Sequence, residues 1–250
     1  QWACSPHAES WTDPEFVRRS GDYRHSGCLP CHAPDPLLER PDEETPELRD
    51  RDRKHGVDCH ACHAVGCGYA GTFESRGAHP VTTDGGRLSR PSFCGSCHQQ
   101  ELDQYESLYL TSLGDGERPE SCVDCHMPMR YERVTQGHLL SYIHPRRPIR
   151  DHSMPTWTEE SIRKAIQIEG PEFDPPGEGS GQTAPKTEGD RALAVRFLLT
   201  NRGAAHRIPT GRYGPSKLRI AVELLDAEGA VISGDETSLS GRRNRGLAPG

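Results

Sequence analysis

Apolar and polar residues alternate along the carboxyl-terminal part of the chain. Two runs have the period of two that a half-buried strand requires, at Leu193, Val195, Phe197 and Leu199 and at Leu218, Ile220, Val222 and Leu224. Residues 226–229, Asp-Ala-Glu-Gly, form a turn signal that leads into a third strand. The pattern predicts a small all-β domain of about four or five strands, fewer than the roughly seven of an immunoglobulin-like sandwich.

Helical spacing appears in two places. Residues 99–114 carry an apolar stripe, at Leu102, Tyr105, Tyr109 and Leu113. Gly114 supplies a stop for this helix. A shorter helix is predicted at Thr158–Glu169, with an inward face formed by Ile162, Ala165 and Ile166.

The remaining sequence has little regular spacing of apolar residues, and we place the domain boundaries from its composition. Residues 170–189 are rich in Pro, Gly and charge, which is typical of a solvated linker. We therefore expect a mostly α and irregular domain at 1–157, a helix and linker at 158–189, and an immunoglobulin-like β domain at 190–250. This β domain is short of strands, so the native chain is expected to continue beyond Gly250.

The composition indicates that the chain has too few apolar side chains to build a large hydrophobic core by themselves. Only 32% of the residues are hydrophobic, and the chain contains 26 Gly and 21 Pro. When Gly is counted and Tyr is left out, the apolar share rises to about 40%, still below the roughly 45–50% of an ordinary globular chain counted in the same way. The formal charge of −7 provides no basic surface for nucleic acid or an anionic membrane. There is no apolar run near the roughly 20 residues of a membrane span and no leader before Gln1, so we expect a soluble, already processed chain.

Four copies of one pentapeptide account for eight of the ten cysteines. Each Cys-x-x-Cys is followed at once by His, in CLPCH (28–32), CHACH (59–63), CGSCH (94–98) and CVDCH (122–126). In c-type haem attachment two thiols bond to one porphyrin, and the next His binds the iron from the proximal side. The predicted thioether cysteines are Cys28, Cys31, Cys59, Cys62, Cys94, Cys97, Cys122 and Cys125. The predicted proximal ligands are His32, His63, His98 and His126.

Other uses of paired cysteines fit this pattern less well. A zinc ribbon needs two pairs and has no requirement for the trailing His. Thioredoxin-like chemistry uses a single pair in a βαβ unit, and a disulfide framework leaves the repeated His unexplained. Four haems also explain the composition, because each is a large apolar body around which loops can pack. Cys4 and Cys67 are left over; we favour a disulfide between them over two independent buried thiols.

Nine further histidines are available as second iron ligands. Those in turn-rich segments are the best candidates, namely His7, His79, His152 and His206. His60 lies between the two cysteines of its own motif, so its side chain would have to turn away from its own ring. Methionine ligation is the minority alternative, since the chain has only Met127, Met129 and Met154. A haem with two histidine ligands has no open site for substrate.

Motifs spread over nearly the whole chain resemble those of a family of multihaem c-type cytochromes, the group related to the tetrahaem cytochromes of ammonia oxidisers. They are W-x-C-S-P-H-A at 2–8, W-T-D-P-E-F at 11–16, the four attachment motifs, R-D-H at 150–152 and N-R-G-A-A-H-R-I-P-T-G at 201–211. The resemblance implies export and a carboxyl-terminal β domain opened by His-x-x-Pro-Thr-Gly. It also implies distal ligation by His7, His79, His152 and His206. His60 departs from the family pattern.

These inferences predict an electron carrier outside the cytoplasm, periplasmic or extracellular, rather than an enzyme. Its partners would be redox proteins, including other multihaem cytochromes or copies of itself. One alternative is a subunit of a haem wire or respiratory complex, assembled as a homo-oligomer or filament. Another is an oxidoreductase for a small molecule of the nitrogen-oxide type, because a member of this broad relationship keeps one haem five-coordinate.

Overall fold

The chain folds into two compact units in the computed structural model, which describes residues 1–72, 74, 81–133, 144–155, 158–174, 194–211, 217–240 and 246–249. The first unit comprises Gln1–Glu106 and Leu113–Thr158, and the second comprises Ser107–Ser112 and Glu159–Gly250. The division after Thr158 falls next to residue 157, where the sequence placed the end of its first domain. Among the described residues, no helix is long and apolar enough to cross a membrane.

Short helices make up most of the first unit. They are α1 (Pro6–Glu9), α2 (Pro14–Arg19), α3 (Leu29–His32), α4 (Cys59–His63), α5 (Pro91–Gly95), α6 (Gln99–Gln104) and α8 (Cys122–His126). Single 3-10 turns lie at Trp2–Cys4, Leu37–Glu39, Arg53–His55 and Arg87–Ser89. Proline at the first helical position starts α1 and α2, and the side chains of Ser5 and Asp13 cap them. Local signals therefore define the helix starts.

The predicted helix at 99–114 is confirmed, with an irregularity in its middle. Helix α6 is followed by a π-helical turn at Tyr105–Tyr109 and by α7 at Leu110–Ser112. Leu102 and Tyr105 are buried, at 3% and 8% exposure, whereas Leu110 is 39% exposed. A π turn inserts an extra residue and rotates the helical stripe. Of the predicted stripe, Leu102 and Tyr105 are buried, whereas Tyr109 and Leu113 are only partly buried.

Two small sheets complete the first unit. Strands β1 (Ala64–Val65) and β2 (Gly68–Gly71) are antiparallel, and β3 (Val81–Thr83) runs parallel to β2. Strands β4 (Met129–Glu132) and β5 (Arg147–Arg150) form an antiparallel ribbon in which Met129 lies opposite Arg150. The main apolar cluster contains Leu37, Leu38, Ala70 and Phe93, with Cys62, Val65 and Leu88 packed against it. This core lies directly beside the second attachment motif.

The second unit contains the predicted strands and one that the sequence analysis missed. Strands β7 (Ala194–Asn201), β8 (Lys217–Leu225) and β9 (Val231–Ser240) confirm the alternating runs, and a turn at Asp226–Ala230 joins β8 to β9. Strand β6 (Ile166–Asp174) pairs antiparallel with β7. It occupies the first residues of the segment predicted to be a linker.

The predicted helix at Thr158–Glu169 is therefore wrong in its second half. Helix α9 spans only Glu159–Ala165, and Ile162 is 37% exposed instead of facing inward. Ile166 and Ile168 alternate with polar residues and lie opposite Asn201 and Leu199 of β7. That period of two favours a strand, and pairing with β7 decides the conformation.

Candidate functional site: four attachment motifs and their histidines

The attachment motifs form single helical turns. Helix α3 ends at His32, α4 ends at His63 and α8 ends at His126, so three motifs share one conformation. Residues three apart lie on the same face of a helix, which places the two cysteines of each motif side by side. The third motif closes a comparable turn, because the backbone N–H of His98 donates to the carbonyl of Cys94 at 2.9 Å.

Polar side chains stabilise the starts of these turns. The Asp58 carboxylate caps α4 by accepting from the backbone N–H of Ala61 at 3.1 Å, and it is itself held by Arg49 at 2.8 Å. A capping box formed by Ser121 and Asp124 begins α8. The Arg150 guanidinium binds Asp124 at 2.8 Å and donates to the carbonyl of Val123 at 3.1 Å. The fourth motif is thereby attached to the segment that carries His152.

The cysteines of different motifs lie close together around the third motif. The thiols of Cys31 and Cys97 are close enough to perturb each other's pKa, and so are those of Cys94 and Cys122. Burial, followed by the charges of Asp58 and Cys59, raises the pKa of Cys62 to about 12. Metal binding and disulfide exchange both use the thiolate. The partly buried Cys62, packed against the main apolar cluster, is therefore held as the neutral thiol rather than the thiolate.

Two of the predicted distal histidines face predicted proximal ones. The ring centroids of His7 and His98 are 6.1 Å apart, and those of His63 and His152 are also 6.1 Å apart. A histidine nitrogen lies about 2 Å from a bound transition metal, so two imidazoles on opposite sides of one iron have centroids roughly 6 Å apart. The rings are tilted by 47° and 41°, and the centroid separation in both pairs is compatible with one iron held between two imidazoles.

Hydrogen bonds to Nδ1 orient several of these rings. The Nδ1 atoms of His32, His63 and His152 lie 2.6, 2.8 and 2.9 Å from the backbone carbonyls of Ser10, Ala70 and Arg150. A carbonyl accepts only from a protonated nitrogen, so these contacts place the proton on Nδ1. The unprotonated Nε2 is then available to a metal, an arrangement that is usual for ligating histidines.

His7 differs from the other three because its Nδ1 is buried and has no hydrogen-bond partner in the described part of the chain. Burial lowers the pKa of His7 to about 4, and the nearby imidazoles of His98 and His126 lower it further. The ring is consequently neutral at physiological pH. The buried Nδ1 of His7 has no hydrogen-bond partner among the described residues, so its lone pair could be donated to a bound metal ion.

Aromatic contacts surround the proximal histidine of the first motif. The Phe16 ring stacks on the His32 imidazole with a centroid separation of 3.6 Å and an interplanar angle of 9°. Trp11 stacks on Tyr23 at 4.7 Å, and both rings lie about 6 Å from Phe16. The segment W-T-D-P-E-F thus holds the His32 ring in place. In the sequence this motif contributes to the family resemblance, but no local pattern predicts its contact with His32.

The other predicted histidines and the two remaining cysteines are not members of these pairs or lie outside the described residues, and the ligand roles of His206 and His79 stay predictions. His206 is in the second unit, in the loop after β7, where Asn201 donates to its carbonyl at 2.8 Å. His79 lies outside the described residues. His60 is exposed and its Nε2 is hydrogen-bonded to the Tyr69 hydroxyl at 3.0 Å. The predicted disulfide is wrong, because Cys4 and Cys67 are both free thiols and both exposed.

Within the described ranges, no three His, Cys, Asp or Glu side chains converge to hold a metal ion by themselves. Comparison with known proteins adds no further assignment: the chain matches no protein-family model, no curated protein and no solved structure.

Proposed function

We propose that this protein transfers electrons outside the cytoplasm, in the periplasm or at the cell exterior, through four covalently attached c-type haems, most of them ligated by two histidines. The observation that carries the proposal is the 6.1 Å centroid separation of His7 from His98 and of His63 from His152. In each pair one histidine belongs to an attachment motif and the other comes from a distant part of the chain.

The cysteines of the four motifs would hold the porphyrins by thioether bonds. Within each helical turn the cysteine side chains share a face, and the following histidine would bind the iron. Haem c supplies reversible one-electron chemistry when bound. The chain's own contribution is to fix the imidazole rings, through the carbonyls of Ser10, Ala70 and Arg150 and through the stacked ring of Phe16.

Ligation by two histidines favours a carrier over an enzyme. If His7 with His98, and His63 with His152, each held one iron, that iron would have no open position for a small molecule. Two of the four predicted proximal ligands, His63 and His98, have a histidine facing them across the required distance. The partners would then be redox proteins, including other multihaem cytochromes or further copies of this chain.

The experiment is to produce the exported protein in a host that attaches haem c, and to measure its intact mass and its haem content by the pyridine haemochrome assay. The proposal expects a mass increase equal to four haems per chain and low-spin irons in the electron paramagnetic resonance spectrum. A mass equal to the bare polypeptide contradicts it. Four haems with one iron that is high-spin and binds carbon monoxide would favour a small-molecule oxidoreductase instead.

A further inference from the structure

Ser10 connects three segments of the first unit through its hydroxyl group. The hydroxyl oxygen lies 2.8 Å from the carbonyl of His7 and 2.9 Å from the carbonyl of His32, and donates its proton to these two acceptors. It accepts from the backbone N–H of Val57 at 3.1 Å. One hydroxyl therefore connects the backbones of two predicted iron ligands and of Val57, two residues before the second Cys-x-x-Cys-His motif.

The backbone of Ser10 contacts one of those ligands a second time. Its carbonyl accepts from Nδ1 of His32 at 2.6 Å. The same residue thus holds His32 both at the main chain, through its hydroxyl, and at the imidazole ring, through its carbonyl. A hydrogen bond to the far nitrogen of a ligating histidine fixes the ring orientation and raises its basicity. Ser10 therefore acts directly on the His32 ring.

Close packing around this contact leaves little room for adjustment. A Cβ atom added at Gly56 would lie 2.4 Å from the carbonyl oxygen of His7 and 2.5 Å from the hydroxyl oxygen of Ser10. Gly56 also has a φ of +59°, which favours glycine over other residues. The backbone N–H of Val57 donates to the His7 carbonyl at 2.9 Å as well. A movement of Ser10 would therefore be transmitted to the His7 backbone.

The geometry points to Ser10 as a positioning residue that holds His7 and His32 in one fixed arrangement, and so couples the haem attached at Cys28 and Cys31 to the one attached at Cys94 and Cys97. The coupling follows because the two histidines are predicted ligands of two different haems. His32 belongs to the first motif, and His7 faces His98 of the third. This inference rests on the proposed function, because it concerns ligands of the same haems.

The inference makes a selective prediction. Loss of the Ser10 hydroxyl would displace His7 and His32 together, because both carbonyls lose the same donor. Among the described residues, no predicted iron ligand of the second or fourth motif hydrogen-bonds to that hydroxyl. A change at Ser10 is therefore expected to shift the reduction potentials and the low-spin signals of two haems out of four.

The test begins with the haem count of the unaltered protein, which tests the proposed function by itself. The Ser10→Ala variant is then compared with Ser10→Thr, which keeps the hydroxyl. Ser20→Ala is the matched control: Ser20 is fully buried, and its hydroxyl donates to the backbone carbonyl of Val17 at 3.1 Å and accepts from the backbone N–H of Tyr23, so it bonds to neither histidine. Potentiometric titration and electron paramagnetic resonance supply the readouts. Double alanine variants of the first and third motifs identify the signals of their two haems.

The expected result is that Ser10→Ala alters the potentials and signals of these two haems only, while Ser10→Thr and Ser20→Ala resemble the unaltered protein. Three results would overturn the inference in a protein that carries four haems. They are an unchanged Ser10→Ala spectrum, a change in a different set of haems, and a loss of all four haems or of the fold, which would make Ser10 a general structural residue.

Discussion

Replacement of His152 by alanine is the most direct test of the histidine pairing. The His152 ring faces His63 at a centroid separation of 6.1 Å, close to the roughly 6 Å expected for two imidazoles on one iron. If these two histidines share one iron, the variant leaves His63 as its only ligand among the described residues. If the chain carries four haems, about a quarter of the iron is then expected to become high-spin, with one new carbon monoxide site per chain.

The effect on folding should be small by comparison. The lost side chain makes one hydrogen bond, from Nδ1 to the carbonyl of Arg150 at 2.9 Å, and such a bond contributes about 1 kcal/mol. Haem attachment at Cys59 and Cys62 does not involve His152, so the haem count should stay at its unaltered value. The spectroscopic change should therefore appear in a protein that is otherwise intact.

The assay is visible and electron paramagnetic resonance spectroscopy of the purified variant, followed by titration with carbon monoxide. His144→Ala is a suitable control, because His144 is exposed and lies only a few residues earlier in the same part of the chain. A His152→Ala protein whose irons all remain low-spin and do not bind carbon monoxide would refute the pairing. A high-spin signal of equal size in the control would refute it as well.

Three further predictions concern attachment and packing. Replacing Cys59 and Cys62 together by alanine should lower the haem content from four to three per chain in the pyridine haemochrome assay; an undiminished content would contradict the assignment. Phe16→Ala should lower the free energy of unfolding in urea by about 3 kcal/mol or more, since this ring is only 8% exposed, whereas Phe16→Leu should cost less. Gly95→Ala should cost about 1–3 kcal/mol, because the new methyl would overlap a buried leucine, and Gly27→Ala, with open space around it, should cost much less.

Secondary structure could be predicted from the sequence where it depends on residues that are close together in the chain. Strands β7 and β8 follow from alternation, and the helix after His98 follows from its apolar stripe. Strand β6 was missed because Gly170 and Pro171 suggested a linker. Its conformation depends on pairing with β7, which no local pattern displays.

The same distinction applies to the site. The spacing of cysteines and histidines predicts the attachment motifs, because the macrocycle imposes that spacing. It does not predict which distal histidine faces which motif, since that depends on the tertiary fold. No sequence signal distinguishes Ser10 from any other serine near a helix end. Phe16 has a weak sequence signal, because it belongs to the W-T-D-P-E-F motif that contributes to the family resemblance.

The two histidine pairs interleave along the chain, and this order constrains how the molecule assembles. In each pair the partners are roughly 90 residues apart, and the entropy of closing so long a loop must be offset by everything that packs inside it. His63 lies within the loop closed by His7 and His98, and His98 lies within the loop closed by His63 and His152. Neither loop can be excised as a separate module. A chain cut between residues 98 and 152 keeps the first pair and loses the second.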